Sequence, residues 1–568
     1  MKKKTLALLL TLAMTGSLFA GCGSSASSDS NASSAENTTA DTEAGETADG
    51  AEAEDTFKAI TFGMGYDASS LDPGMTTDDA SITPYHLLSE TLLRLRDGEP
   101  APGLAESWEV SEDSKIWTFH LRESTFSDGT PVTAETMEYS LKRLVNPENG
   151  LDNMASISDI SGAEALLNGE DVSVDDLGIE ATDEYTLVLT FDYPQYEMDF
   201  TSYVYSPVSQ ELVESAGEAF ASDMEYFLGN GPFMLESWTH DAEIVMVKNP
   251  NYWDADSVKL DQITMIPGAS ADTAVDMMSA GTLDAAGYTS QMYLDSALEV
   301  PGMTSMTIYN ATQSCHLNVD GKTEETGKWL SNVNFRKALS YALDREAMVA
   351  AVYTTGTPAS TVVPDSEEGK NGAFNDEYSY GEMNTTADAE KAQEYLAKAM
   401  EELGVSDASE IPTFTMLAFD SENNVKCLNA IADMWSKTLG INCELDMEPI
   451  MEMLNKALSD DFDFWKGGNS VDLDYVDFFG LYDSSAGLGS GVDYQNDEEY
   501  HALYEVARNA ATWEERKDAE AALAEYWTEN MMDIMITWDN SFYVYNEKIT
   551  GVQEGQMFID FSFADLAE

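Results

Sequence analysis

Basic side chains are scarce in this chain of 568 residues. Lysine and arginine total 28 against 104 aspartates and glutamates, a formal net charge of −76. Neutralising phosphates takes clustered Lys and Arg, and none cluster beyond Lys2, Lys3 and Lys4. That excludes a nucleic-acid partner and a protein held on anionic lipid by basic side chains. Histidine is rare as well. The five residues His86, His120, His240, His316 and His501 are scattered, and there is no CxxC or HExxH, so no metal site is legible. Cysteine is limited to Cys22, Cys315, Cys427 and Cys443. Leaving Cys22 aside, an odd number remains and no complete disulfide framework exists. Cys427 sits early in an apparent helix and Cys443 in the strand after it, about 18 Å apart along the axis. A disulfide needs Cα atoms within ~7 Å, so buried free thiols are expected. There is no GxSxG and no nucleophile–base constellation. Paired carboxylates are unavoidable at this composition and do not argue for a glycosidase. No apolar run after Ala20 is long enough to span a bilayer. What is present is ample core material, 43% hydrophobic and 10% aromatic, which excludes a disordered chain and at this length suggests several domains.

The basic trio opens an apolar segment from Thr5 to Ala20, shorter than the ~20 residues of a spanning helix. It reads as a secretory signal. Leu18-Phe19-Ala20-Gly21-Cys22 resembles a bacterial lipobox, with Phe19 where Leu is usual. The resemblance implies cleavage before Cys22 and a diacylglycerol on its thiol, which would make Cys22 the lipidation site and the anchor in the bilayer. The alternative is a plain secretory signal with an incidental cysteine. Gly23 to Thr56 holds Ser, Ala, Thr, Gly and acidic residues with no aromatic, Lys or Arg. It cannot bury enough apolar surface to order itself. As a flexible coil it would reach roughly 30–35 Å. Residues 1–21 are thus read as signal peptide and 22–55 as a lipid-anchored acidic linker.

From Thr56 onward strand and helix signals alternate without repeats. Lys58 to Phe62 looks like a first strand. Ile116 to Arg122 has period 2, with Trp117, Phe119 and Leu121 on one side. Thr133 is placed to cap a helix carrying Met137, Leu141, Leu144 and Val145 on one stripe. Thr186 to Phe191 and Ile244 to Val247 read as strands, the second ending in the turn Asn249-Pro250-Asn251. Phe335, Ala338, Leu339, Ala342 and Leu343 repeat at helical spacing, and Asp344 recaps a further piece through Val352. Phe414 to Phe419, Val425 to Leu439 and Ile441 to Leu445 form a strand–helix–strand unit. Ala519 to Trp527 is helical and Ile534 to Tyr545 extended. Mixed α/β in at least two lobes follows.

Three motif fragments fail on context. Gly63-Met64-Gly65 follows a strand, but the turn sequence Ser69-Ser70-Leu71-Asp72-Pro73-Gly74 comes next, where a dinucleotide site needs a helix. Gly321-Lys322-Thr323 lacks the first glycine of a phosphate loop, because His316 stands in its place. Asp472, Asp474 and Asp477 start like a calcium loop, yet Val476 and Asp477 occupy the third-ligand and glycine positions.

Longer runs carry more. Leu71-Asp72-Pro73 and Glu90-Thr91-Leu92-Leu93 are followed by Pro102-Gly103-Leu104-Ala105-Glu106-Ser107-Trp108 and Trp117-Thr118-Phe119-His120-Leu121-Arg122. Then come Phe126-Ser127-Asp128-Gly129-Thr130-Pro131-Val132-Thr133-Ala134-Glu135, Gly229-Asn230-Gly231-Pro232-Phe233 and Lys248-Asn249-Pro250-Asn251-Tyr252-Trp253. The last run, Asn334-Phe335-Arg336-Lys337-Ala338-Leu339-Ser340-Tyr341-Ala342-Leu343-Asp344-Arg345, lies past mid-chain. In this order they resemble the extracellular solute-binding lipoproteins of ABC importers, in the oligopeptide, dipeptide and nickel group. The resemblance implies an α/β, two-lobed, periplasmic-binding-protein-like fold (class II, clamshell) with an extra subdomain on lobe one. Lobe one would span 56–307 with that subdomain, lobe two 308–535, and 536–568 would return to lobe one.

The same resemblance implies no enzyme and no cofactor. It implies a monomer on the outer face of the bacterial cytoplasmic membrane, a peptide ligand, and an ABC permease in that membrane as partner. In peptide-binding relatives a lobe-two Asp, ahead of a Phe-Leu segment, meets the ligand's α-amino group. The matching position is Asp472, seven before Phe479, in a loop whose usual Pro is replaced; Asp474 competes for the role. Ser81 and Thr83 match the first-lobe ligand segment. Trp538 would form a pocket wall or equally a buried strand residue. Most motif residues would be structural, with Gly129, Pro131 and Pro250 setting turns and Trp108, Trp117 and Trp253 in cores. The alternatives are the same fold taking nickel chelates, sugars or another small solute, or a lipid-tethered secreted hydrolase or adhesin. The net charge would repel anionic ligands and favour zwitterionic or cationic ones, within a Debye length of ~8 Å.

Overall fold

The computed structural model describes residues 57–96, 98–288, 290–353, 356–365, 367–470, 475–483, 497–555 and 558–567. The signal peptide, the linker, Cys22, Asp472 and Asp474 lie outside the described residues. The first strand, Ala59–Gly63, buries Ile60 and Phe62 in one core of lobe one. It sits inside an eleven-stranded sheet that runs through both lobes. On one side of it stand Gln262–Ile266, Glu243–Lys248 and Phe233–Thr239, and on the other Ala285–Tyr288.

Two strands carry the sheet from lobe to lobe. Met303–Leu317 leaves lobe one and Ile534–Asn546 returns to it, paired antiparallel from Met303 with Asn546 to Cys315 with Ile534. In lobe one the returning strand takes Ala285–Tyr288 as its other neighbour. In lobe two the outgoing strand pairs instead with Phe464–Ser470, beyond which lie Phe414–Phe419 and Cys443–Glu448. Each crossing strand carries one extra residue. Asn310 falls between the pairs Tyr309–Asn540 and Ala311–Asp539, and Ile536 between Gln313–Thr537 and Ser314–Met535. Such bulges bend the strand and raise its local twist, which suits a strand that must turn from one lobe into the next.

The extra subdomain is a four-stranded antiparallel sheet of Ala105–Val110, Ile116–Leu121, Thr186–Thr190 and Ile179–Asp183. The period of 2 read in Ile116–Leu121 is real: Trp117, Phe119 and Leu121 are buried. Thr133 caps the helix Ala134–Val145 in a reciprocal box with Thr136, satisfying N–H groups that helix starts leave open. Met137, Leu141, Leu144 and Val145 of that helix join the same core, each buried side chain of this size contributing about 1.5–3 kcal/mol.

Lobe two builds its core from Phe335, Ala338, Leu339, Ala342 and Leu343 together with the strand–helix–strand unit. That unit is parallel, as Phe414–Phe419 pairs with Cys443–Glu448 from Phe414–Cys443 to Phe419–Glu448. Its helix is Glu422–Leu439, three residues earlier than the apolar spacing alone places it, because Ser421 caps it through the Asn424 N–H. Its second strand begins at Cys443 rather than Ile441. Cys315, Cys427 and Cys443 are free thiols, raised in pKa by burial. After the crossing, the pairs Ile549–Thr550 with Asp565–Leu566 and Gln553–Glu554 with Ile559–Asp560 fold the C-terminal segment onto lobe one.

Candidate functional site

Ligands of open α/β sheets bind beyond the carboxyl ends of parallel strands. Each lobe has such a set: Ala59–Gly63, Gln262–Ile266 and Ala285–Tyr288 in one, Phe414–Phe419, Cys443–Glu448 and Phe464–Ser470 in the other. The register shows that both sets point at the crossing. Tyr288 pairs with Phe542, which pairs with Thr307, while Ser470 pairs with Ala311. Thr307 and Ala311 are four residues apart on one strand, roughly 13 Å. The two lobes therefore present their strand ends to one cleft, with the bulged segments around Tyr309–Ala311 and Asp539–Asn540 as its floor.

A polar chain is built into that floor. Lys466, only 6% exposed, donates to Gln313 Oε1 and to the Gly467 carbonyl at 3.1 Å. Its Nζ stands 5.7 Å from the centre of the Tyr353 ring. Gln313 Nε2 then donates to Asp539 Oδ2 at 2.6 Å, so cation and acid are joined through a neutral amide. Asn540 Nδ2 donates to Thr357 Oγ1 at 3.0 Å, while its Oδ1 is buried without a hydrogen-bond partner among the described residues. Tyr353 ends the π-turn Val349–Tyr353 and meets Cys427 Sγ at 3.1 Å. Two glycines make the close approach possible. A Cβ on Gly468 would stand 2.5 Å from the Thr312 carbonyl oxygen, and one on Gly467 2.8 Å from His316 Cδ2, contacts that only glycine avoids.

Burial pushes the Asp539 carboxyl up to about 6, against the lowering influence of Gln313 and Lys466. A carboxyl raised in the fold contributes stability that is complete below its unfolded value of ~3.9 and lost as pH rises through ~6. Asp539→Asn removes that loss. Wild type and variant should be equally stable at pH 4, and the variant should be more stable at pH 7 by on the order of 1–3 kcal/mol. Urea unfolding across this pH range measures it; parallel stability curves for the two proteins would show that Asp539 is not the group concerned.

Ser81 and Thr83 lie on the helix Asp79–Leu88, which follows the loop after Ala59–Gly63. Both are buried. The Ser81 N–H donates to the capping Asp78 Oδ1 at 2.9 Å, and its hydroxyl accepts from the Ser69 N–H at 2.9 Å. Beside them, burial and then the Asp78 charge push the Asp79 carboxyl up to about 6. Trp538 is on the returning strand, paired with Thr312 and Thr357 and 3% exposed. Its ring lies 6.0 Å from that of Tyr475, three residues past Asp472, so the structure brings Trp538 to the end of that segment. Lys466, Gln313 and Asp539 escaped sequence reasoning. A signal for the first was there: a lysine inside the apolar stretch Phe462-Asp463-Phe464-Trp465-Lys466, directly before two glycines.

The motif runs converge elsewhere. Glu90 is fully buried and accepts from Arg94 Nη1 at 3.1 Å, Trp253 Nε1 at 3.1 Å and the Tyr252 hydroxyl. Its N–H donates to Asn230 Oδ1 at 2.9 Å. A Cβ on Gly231 would stand 2.5 Å from the Leu88 carbonyl carbon. In lobe two, Arg336 donates to the carbonyls of Leu330, Asn530 and Met531, and Arg345 to those of Met535 and Asn384. These motifs lock helices to strands. Trp117 is core, whereas Trp108 and Trp253 are half-buried, the latter under the Arg122 guanidinium at 3.5 Å. Among the described residues no cluster of three or more His, Cys, Asp or Glu could hold a metal, and no helix is long and apolar enough to cross a membrane.

Two α/β lobes that share strands across a cleft, with a subdomain added to the first, define a clamshell solute-binding fold. The chain belongs to the bacterial extracellular solute-binding proteins, family 5, whose middle segment matches residues 99–490. It is 32% identical to the oligopeptide-binding protein OppA of Bacillus subtilis over 443 residues, 76% of this chain and 78% of that protein. It is 28% identical to the dipeptide-binding protein DppE of the same organism over 510 residues, 88% of this chain and 90% of that one. Its fold is similar to that of Haemophilus influenzae OppA in complex with the peptide RPPGFSPFR, with a TM-score of 0.69, 24% identity, and coverage of 90% of this chain and 99% of the other.

Proposed function

We propose that this protein is a membrane-anchored extracellular solute-binding protein that captures peptides and delivers them to an ABC-type permease. The observation that carries the reading is the convergence of both lobes' strand ends on one polar floor, in a chain whose relatives are named for oligopeptides and dipeptides. Closing two lobes over a ligand removes water, and each hydrogen bond inside then counts for more. A peptide main chain offers N–H and C=O groups to strand edges, and its side chains can rest in hydrated pockets. Asp472 pairs with the α-amino group, Lys466 with an anionic group of the ligand, and Ser81, Thr83 and Trp538 shape the walls. The protein releases its ligand chemically unchanged and acts as a monomer. Lipid on Cys22 anchors it to the outer face of the cytoplasmic membrane through the 22–55 linker, and the lobes divide near 307 and 535, at the strands they share.

The test is native mass spectrometry of what copurifies with the full chain, followed by calorimetry with those compounds. Retained di- to oligopeptides support the reading. Retained sugars, metal chelates or another solute would keep the clamshell and replace the ligand. Measurable turnover would point to a hydrolase.

A further inference from the structure

The crossing strands are not the sole contact between the two lobes: the extra subdomain of lobe one also touches lobe two. On the subdomain side stand Ser114, at the tip of the hairpin between Ala105–Val110 and Ile116–Leu121, with Asp159, Tyr193 and Tyr196. Facing them is the turn between helices Glu498–Arg508 and Trp513–Asn530 of lobe two. The Arg508 guanidinium carbon stands over the Tyr193 ring, 3.4 Å from its centre, and its Nη2 is 3.2 Å from Asp159 Oδ1. The Tyr196 hydroxyl donates to the Ala510 carbonyl at 2.8 Å, and the Ser114 hydroxyl to the Ala511 carbonyl at 2.8 Å. The Tyr196 and Trp513 rings meet edge to face at 5.6 Å. A planar guanidinium can stack and pair at once, and the two carbonyl contacts fix the register of one tip on the other.

Each side is also tied by hydrogen bonds of its own. The Ser114 carbonyl accepts from the Gln195 N–H at 3.0 Å and from Trp117 Nε1 at 2.9 Å. In lobe two Arg516 Nη1 donates to the Ala507 carbonyl at 3.1 Å, and Thr512 caps the second helix. The subdomain is also bound to lobe one. Arg143 grips Asp72 with both terminal nitrogens at 2.9 and 2.6 Å, and Asn153 Nδ2 donates to the carbonyls of Pro73 and Thr76 at 2.8 Å. Lobe two therefore cannot rotate about the bulged strands while this contact stays fixed.

We propose that the Arg508–Ala511 turn, seated on Tyr193, Tyr196, Asp159 and Ser114, is a latch between the extra subdomain and lobe two that holds the lobes in the arrangement seen here. The extra subdomain thereby gains a role in setting how readily the clamshell moves, separate from any contact with ligand.

The test uses amide hydrogen exchange on the full chain, with Arg508→Ala combined with Tyr196→Phe. Releasing the latch should raise exchange by about tenfold both at the tips and at the distant hinge amides of residues 309–313 and 537–541, since local opening tracks the freedom of the element concerned. Arg508→Gln alone, which leaves the Tyr196–Trp513 ring contact and both carbonyl contacts in place, should give a smaller rise in the same two places and serves if the double variant fails to fold. A rise confined to residues 111–115, 193–196 and 508–513, or no rise, would show a local packing contact and overturn the latch.

Discussion

Glu90→Ala should be about 3–5 kcal/mol less stable than wild type in the unfolding of lobe one, the usual cost of leaving a buried charge without its partner. Glu90 and Arg94 are 0% and 1% exposed. Arg94 also donates to the His86 carbonyl at 3.0 Å and to Ser562 Oγ at 2.6 Å, but those groups are neutral. Burial by itself lowers the guanidinium pKa, and the charges of Glu90 and Asp560 outweigh it and raise it. Asp560 cannot take over alone. Burial would raise its carboxyl, yet His86 and Arg94 already hold it far below the usual range. Removing Glu90 also strips Tyr252 and Trp253 of their shared acceptor and opens a cavity. Glu90→Gln keeps an acceptor and loses the charge, so its loss should be roughly half as large. Guanidinium unfolding followed by tryptophan fluorescence measures both. A loss under about 1 kcal/mol for the alanine variant would mean that Arg94 finds another partner by rearrangement.

Glu90 also shows what was legible in the sequence. Local rules sufficed for elements: the alternation in Ile116–Leu121, the Thr133 cap and the helical stripe around Phe335 all read correctly, because each depends on neighbours in the chain. The motif runs gave the family and the two-lobed fold, although why Glu90, Asn230, Tyr252 and Trp253 belong together is visible only where they meet. The site was harder. Met303–Leu317 and Ile534–Asn546 pair across more than two hundred intervening residues, and nothing in either segment names the other. Lys466, Gln313 and Asp539 come from three separate strands and become a chain only through that pairing. Ser81 and Thr83, read as ligand residues, turn out buried in a capped helix, where Ser81 already serves Asp78 and Ser69.

Asp472→Asn is expected to weaken peptide binding by more than tenfold, on the order of 1.4 kcal/mol or more. Asp472 lies outside the described residues, but its flanks do not. Ser470 pairs with Ala311 beside the bulge at the crossing. After the loop, the Tyr475 hydroxyl donates to the Val362 carbonyl at 2.6 Å, and its ring faces Trp538. The chain is thus held at the floor on both sides of Asp472. A peptide's α-amino group carries a full charge, and burying it in a closed cleft requires an anion and hydrogen bonds. Asparagine keeps the shape and one acceptor and loses the charge. The loss should therefore vanish for N-acetylated peptides, which bring no cation. Calorimetry with free and acetylated forms of one copurifying peptide separates the cases. Equal affinity of wild type and variant for the free peptide would take Asp472 out of the site and direct attention to Asp474. A loss of the same size for both forms would mean that Asp472 shapes the loop rather than pairing with the amine.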